Sequence, residues 1–317
     1  MNKQEYLFQA IADRKAVFSR YGKRPSFSLA ENSIAWLLKS IALLTIGITA
    51  AIIFTLLFDA VHFFQITSFF DFITGTQWLP FATPKKFGVL PLLSGTMMIA
   101  IGSCLFAIPL GLGASIYLTQ YASGKAKDIL SPIIEVLGGI PTVVYGYFAL
   151  TTVTPLLQRM YPQIEIFNAL SASIVVGISI MPLISSLSTE ALNLVPLSIQ
   201  NGGYALGMRK FHVVVKIKIP AAASGIIASI ILAFSRAVGE TMAVTLAAGA
   251  TPNMDFDYLH GIQTITAFIV QISLGDTPAG SIEYFTIYAL GLTLFSLTFI
   301  FNFIASRIVK RYREVYE

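Results

Sequence analysis

Charge is what this chain has least of. Asp, Glu, Lys and Arg make up 12% of its 317 residues, about half the share usual in a soluble domain. An ordinary globular surface is thereby excluded. With one cysteine, Cys104, a disulfide framework is excluded too, and a buried apolar thiol is expected. The three histidines, His62, His212 and His260, fall in different segments and show no metal-ligand spacing. No G-x-x-x-x-G-K-S/T loop occurs, since Gly22–Lys23 and Gly124–Lys125 lack the glycine five residues earlier. H-E-x-x-H and G-x-S-x-G are absent as well. We expect no catalytic residue, no metal and no cofactor held by this chain, and no nucleotide hydrolysis by it alone.

What the chain has is apolar length. Hydrophobic residues make up 55%, and about 20 consecutive apolar residues cross a bilayer. Six windows meet that length: Ile34–Phe58, Phe87–Leu118, Ile129–Val153, Ile166–Thr189, Ala221–Ala250 and Tyr284–Ser306. In lipid every backbone amide must be bonded internally, so such runs are helices. The fold class is all-α, a polytopic membrane protein with six transmembrane helices.

The net charge of +5 does not indicate nucleic acid, because its placement is topological. Lys and Arg number sixteen in 1–33, 119–128, 190–220 and 307–317 together, against three in 59–86, 154–165 and 251–283. That positive-inside bias puts both termini in the cytoplasm. The polar start and the span-length first run read as an anchor, not a cleaved leader.

The chain divides into an N-terminal tail (1–33), a first span with an external loop (34–86), a core (87–306) with a cytoplasmic loop at 190–220, and a C-terminal tail (307–317). The stretch Met1–Glu31 reads equally as an amphipathic surface helix or as a disordered tail. Pro109 predicts a kink or break in the second span. Gly138, Gly139 and Pro141 loosen the middle of the third, for packing or for motion. Leu259–Gly275 is too short and polar to cross well, and reads as an external helix or a re-entrant segment.

The segment Asn201–Pro220, NGGYALGMRKFHVVVKIKIP, is a polar elbow between two apolar runs. Glu190–Val195 and Leu197–Leu206 read as short helices separated by Pro196, Gly207 as a left-handed cap, and Pro220 as the first turn of the next span. Phe211, Val214, Val215 and Ile217 predict an apolar ridge for a partner's groove. A plain solvated loop is the alternative.

This segment resembles the coupling loop of ABC importer membrane subunits, E-A-A-x-x-x-G-x(9)-I-x-L-P, which docks on the ATP-hydrolysing subunit. Asn201, Gly202, Gly203, Gly207, Ile217 and Pro220 occupy the pattern, with Asn for Glu, two glycines for alanines, and Ile219 for Leu. Gly139–Gly146 (GIPTVVYG) and Ser235–Val244 (SRAVGETMAV) resemble segments of phosphate-importer permeases, the M-A-V ending favouring the PstC type. The resemblance covers about residues 88 to 250. It implies a type I ABC importer permease fold and the permease role in ATP-driven phosphate import. The implied partners are ABC ATPase subunits holding ATP and Mg, a PstA-like second permease or a second copy, and an extracytoplasmic phosphate-binding protein. Other readings are a permease for another oxyanion or small solute, or a secondary transporter.

Arg236 and Glu240 stand four apart in the fifth span, so they are expected to share one helix face. A charge at mid-membrane is costly and faces the bundle interior or a water-filled path. An Arg fork matches a phosphate's oxygens, so Arg236 and Glu240 are candidates for the substrate path, a structural ion pair being the alternative. Glu135, near the cytoplasmic end of the third span, fits snorkelling or capping better than a substrate contact.

Overall fold

The structure, a computed structural model, describes residues 29–312. The expected surface helix or disorder of the N-terminal tail up to residue 28, and the last five residues, lie outside the described residues. Packing divides the chain into Met1–Thr55 and Leu56–Glu317. In the first unit the described chain is the beginning of helix α1 (Leu29–Ile66), whose side chains from Asn32 onward are almost all exposed. Leu37, Leu44 and Phe54 are among them, as a lipid-facing span requires.

Among the described residues of the second unit the regular structure is helical apart from one small hairpin, β1 (Trp78–Leu79) with β2 (Lys86–Phe87). In order it contains α2 (Phe69–Thr74), α3 (Leu90–Ile116), α4 (Gly124–Gly139), α5 (Thr142–Met160), α6 (Ala169–Asn193), α7 (Leu197–Ala205), α8 (Lys210–Ala221), α9 (Ala223–Val238), α10 (Met242–Ala247), α11 (Ile265–Leu274) and α12 (Ile282–Tyr312). Four helices are long and apolar enough to cross a bilayer. The bent pairs α4–α5 (91°) and α8–α9 (69°) bring the total to as many as six. Four to six spans agree with the six expected, and the third is broken instead of merely loosened.

The centre of the unit is the seam between α3 and α6. Lipid gives no hydrophobic drive for helices to associate, so close backbone approach must supply dispersion contacts. Small residues allow it. A Cβ on Gly102 would lie 2.6 Å from Ser173 Oγ, and one on Gly177 would lie 2.9 Å from Ser103 O. Ile99, Val175, Val176, Ile180 and Ile184 are buried around this seam, and Cys104 is buried with them. α3 runs unbroken through Pro109 and ends in a π turn, Tyr117–Tyr121. The break expected at Pro109 is absent because neighbouring helices hold α3 in place on both sides of the proline.

A second cluster gathers Phe63, Phe72, Trp78, Phe87 and Phe268 edge to face. It seats α11, which at ten residues is about 15 Å long and cannot cross about 30 Å of hydrocarbon. The external or re-entrant reading of that segment therefore stands.

Nearby, Glu165 fastens two loops. Its Oε2 accepts the Gly261 N–H at 2.9 Å, and its Oε1 lies 3.1 Å from His260 Nδ1. Asp257 lies 3.4 Å from the other ring nitrogen. The Gly261 N–H, then His260, hold the Glu165 carboxyl below the usual range. The bond to Glu165 in turn holds His260 above its usual value.

Two outcomes follow from these contacts. Gly177→Ala drives a methyl against the backbone of α3 and should cost about 1–3 kcal/mol, read as a lowered midpoint in thermal unfolding in detergent. A raised histidine pKa contributes stability that is complete below the unfolded value and lost as pH rises through the folded one. Amide protection at 251–264, relative to a His260→Gln control, should therefore fall as pH rises above the ordinary histidine value of about 6.5.

Candidate functional site

Both phosphate-permease-like segments fall where helices stop. α4 ends at Gly139, and Ile140 takes an extended backbone (φ −69°, ψ 129°), as a residue before proline must. The carbonyls left without partners need donors, and Tyr145 Oη supplies one to Leu137 O at 2.7 Å. The second break follows Val238. Gly239 closes α9, and Glu240 turns back so that its carboxylate accepts the Ala243 N–H at 3.4 Å, at the start of α10. The Thr266 hydroxyl donates to Glu240 O at 2.8 Å. The two breaks then touch: a Cβ on Gly146 would lie 2.9 Å from Leu246 Cβ and 3.1 Å from Ala243 Cα.

This geometry changes the reading of Arg236 and Glu240. The helix carrying Arg236 ends two residues later, so the two do not share a helix face. Glu240 is buried and bonded locally, whereas Arg236 is exposed and forms no ion pair among the described residues. The structure instead brings Arg236 together with Glu135. Both line a cavity of about 300 Å³ between α4, α6 and α9. Ser131, Glu135 and Gly138 come from one face of α4, and Ser185, Ser186 and Thr189 from the last turns of α6. Thr189 Oγ1 is buried without a hydrogen-bond partner among the described residues. Charge arguments found Arg236 and named Glu135; the hydroxyls were missed, although the serines of SIMPLISSLST spell them out inside an apolar run.

A larger cavity, about 760 Å³, opens beside Ser68, Asp71, Gln77 and Lys86. Its cations are already engaged: Lys86 Nζ donates to Gln77 Oε1 at 2.6 Å, and Lys85 pairs with Glu283. The smaller cavity is the better anion site.

The elbow is helical, with corrections. α6 continues to Asn193, so Glu190 belongs to it, and α7 starts after Pro196. Gly207 has the expected left-handed backbone, φ 77°. Pro220 sits in the last turn of α8, just after a π turn at Val214–Lys218, and α9 begins only at Ala223. The missing proline N–H is accommodated where the ladder is already widened. The apolar ridge is divided: Val214 is buried and Ile217 half-buried, while Phe211 and Val215 join Leu197 and Leu206 outside. Asn201 is exposed, as are Gly202 and Pro220. Gly203 is buried, and a Cβ there would meet Ile217 Cδ1 at 2.5 Å.

Residues 107–314 match the family described as binding-protein-dependent transport system inner membrane component. The chain belongs to that family. The match reaches past the sixth span, beyond the stretch whose motifs suggested it.

Among relatives of this transport component, "Probable ABC transporter permease protein YqgH" of Bacillus subtilis (strain 168) is 35% identical over 234 residues, 73% of this chain and 74% of the relative. "Phosphate transport system permease protein PstC" of Mesorhizobium japonicum is 31% identical over 264 residues, 76% of this chain and 79% of the relative. A solved bacterial alginate ABC transporter, in complex with an alginate pentasaccharide-bound periplasmic protein, aligns with TM-score 0.62 at 13% identity, covering 90% of this chain and 98% of that one. The MetNI methionine ABC transporter in an inward-facing conformation aligns with TM-score 0.55 at 17% identity, covering 72% and 95%. The type I importer permease fold is thereby established.

The two glycines of α7 should behave differently. Around Gly202 nothing lies within 4 Å, so Gly202→Ala should stabilise the helix by up to about 1 kcal/mol. Gly203→Ala should gain less or lose, because Ile217 must move. Thermal melts of the two variants give the comparison.

Proposed function

We propose that the chain is the permease subunit of an ATP-driven phosphate importer of the PstC type, and that Arg236 lines the path phosphate takes. The observation that carries this is the cavity: a guanidinium that forms no ion pair among the described residues stands among hydroxyls, inside a family of binding-protein-dependent transport components. Arg presents a rigid fork of donors matched to tetrahedral oxyanions, and hydroxyls both donate and accept. Curated relatives named phosphate transport permeases support the choice of anion.

On this reading the chain performs no chemistry. ATP and Mg belong to ABC ATPases docked on α7 and α8 at the cytoplasmic face, where the lysine and arginine bias puts that segment together with both termini. Leu197, Leu206, Phe211 and Val215 form the contact ridge, and Asn201 leaves docking to shape and to Arg209, Lys210 and Lys216. A PstA-like second permease, or a second copy, completes the path, and an external phosphate-binding protein delivers to it. Glu240 serves by holding the break that lets α9 end beside the cavity, not by neutralising Arg236.

Phosphate uptake by the assembled complex in membrane vesicles tests this. Arg236→Gln should lower uptake by at least tenfold while the ATPase subunits still co-purify. Unchanged uptake in an assembled complex would sink the proposal.

A further inference from the structure

We infer that Glu135 makes the cavity selective for oxyanions that carry a proton, phosphate and arsenate, against sulfate, which carries none. The inference rests on the anion path proposed above.

Glu135 and Arg236 arrive from different helices, α4 and α9, and line one cavity. Neither charge is spent on the other, since no ion pair within 4.0 Å joins them. A carboxylate in an anion's path is costly unless the anion can use it. Ionised, it is an acceptor only, with no proton to offer. The remaining polar lining is of a different kind: Ser131, Ser185, Ser186 and Thr189 are hydroxyls that turn to donate or accept as required. Thr189 Oγ1 has no hydrogen-bond partner among the described residues, so the lining holds unused hydrogen-bonding capacity.

The proton decides which anion fits. Phosphate and arsenate keep at least one proton at neutral pH, and that O–H can donate to Glu135 while other oxygens accept from Arg236 and the hydroxyls. The charge-assisted bond formed is of the strong class. Sulfate has the same shape and similar size but no O–H. Against it Glu135 contributes only repulsion, and repulsion of the wrong ligand is how selectivity between near-isosteres is obtained. A glutamine at 135 would remove the repulsion and offer a donor to either anion. A residue that merely snorkels to water would show no such anion dependence.

The test uses the permease–ATPase complex in lipid nanodiscs without the binding protein, with radiolabelled phosphate as probe and sulfate as competitor. Wild-type complex should hold phosphate against a large excess of sulfate. Glu135→Gln should reduce that preference by about tenfold or more, the worth of one hydrogen bond to a charged group, with sulfate retention rising. Glu135→Asp should keep the preference. Glu135→Ala, which removes acceptor and charge together, should lose it, so failure of one variant to assemble leaves the other decisive. A wild-type complex indifferent to the two anions, or a Glu135→Gln complex with the wild-type ratio, overturns the inference. Arg236→Gln forms a separate arm: loss of both anions supports the path itself, and retention of both refutes the path whatever Glu135 does.

Discussion

The structure depends on one rule of the bilayer: a backbone N–H or C=O left open in hydrocarbon costs several kcal/mol. A membrane protein that interrupts a helix must therefore supply a replacement bond at each interruption. Here two helices stop, at Gly139 and at Val238, and each stop is closed by a side chain from just beyond it. Tyr145 reaches back to Leu137 O, Glu240 accepts from Ala243 N–H, and Thr266 covers Glu240 O. Without these three groups Leu137 O, Ala243 N–H and Glu240 O would each lose the side-chain bond that serves it.

The breaks determine where the polar groups of the site stand. Because α9 ends early, Arg236 lies in its last turn, where neighbouring backbone does not shield the guanidinium. Because α4 ends early, Glu135 lies one turn from a helix end and shares a face with Ser131 and Gly138. The third wall, α6, is held by its glycine-lined seam with α3. Backbone satisfaction, helix packing and the placement of charge are thus one arrangement seen at three scales.

Much of this was legible beforehand. Window length gave the helices, and the G-x(9)-I-x-x-P spacing gave the elbow and its family. Gly207 was readable because only a left-handed residue ends that helix so abruptly. The face shared by Arg236 and Glu240 was misread because periodicity assumes a continuous helix, and Gly239–Glu240–Thr241 breaks it. At Pro109 the reverse happened, a break being expected where α3 is continuous: a proline weakens a helix locally, but packing along α3 decides whether it yields. The glycine that stands for alanine at 203 has its reason in the fold, because Ile217 fills the space a Cβ would take. Where the chain substitutes one residue, the space it occupies belongs to another.

The 69° bend between α8 and α9 makes the pair a bell-crank. Arg236 lies thirteen residues past Ala223, an arm of about 20 Å at 1.5 Å per residue. A tilt of about 5° at the Ala222 corner swings the guanidinium through roughly 2 Å, enough to turn a hydrogen bond of about 2.9 Å into no bond at all. Because α8, at Lys210–Ala221, is nearly as long as that arm, a tilt of α8 and the swing of the guanidinium are of similar size.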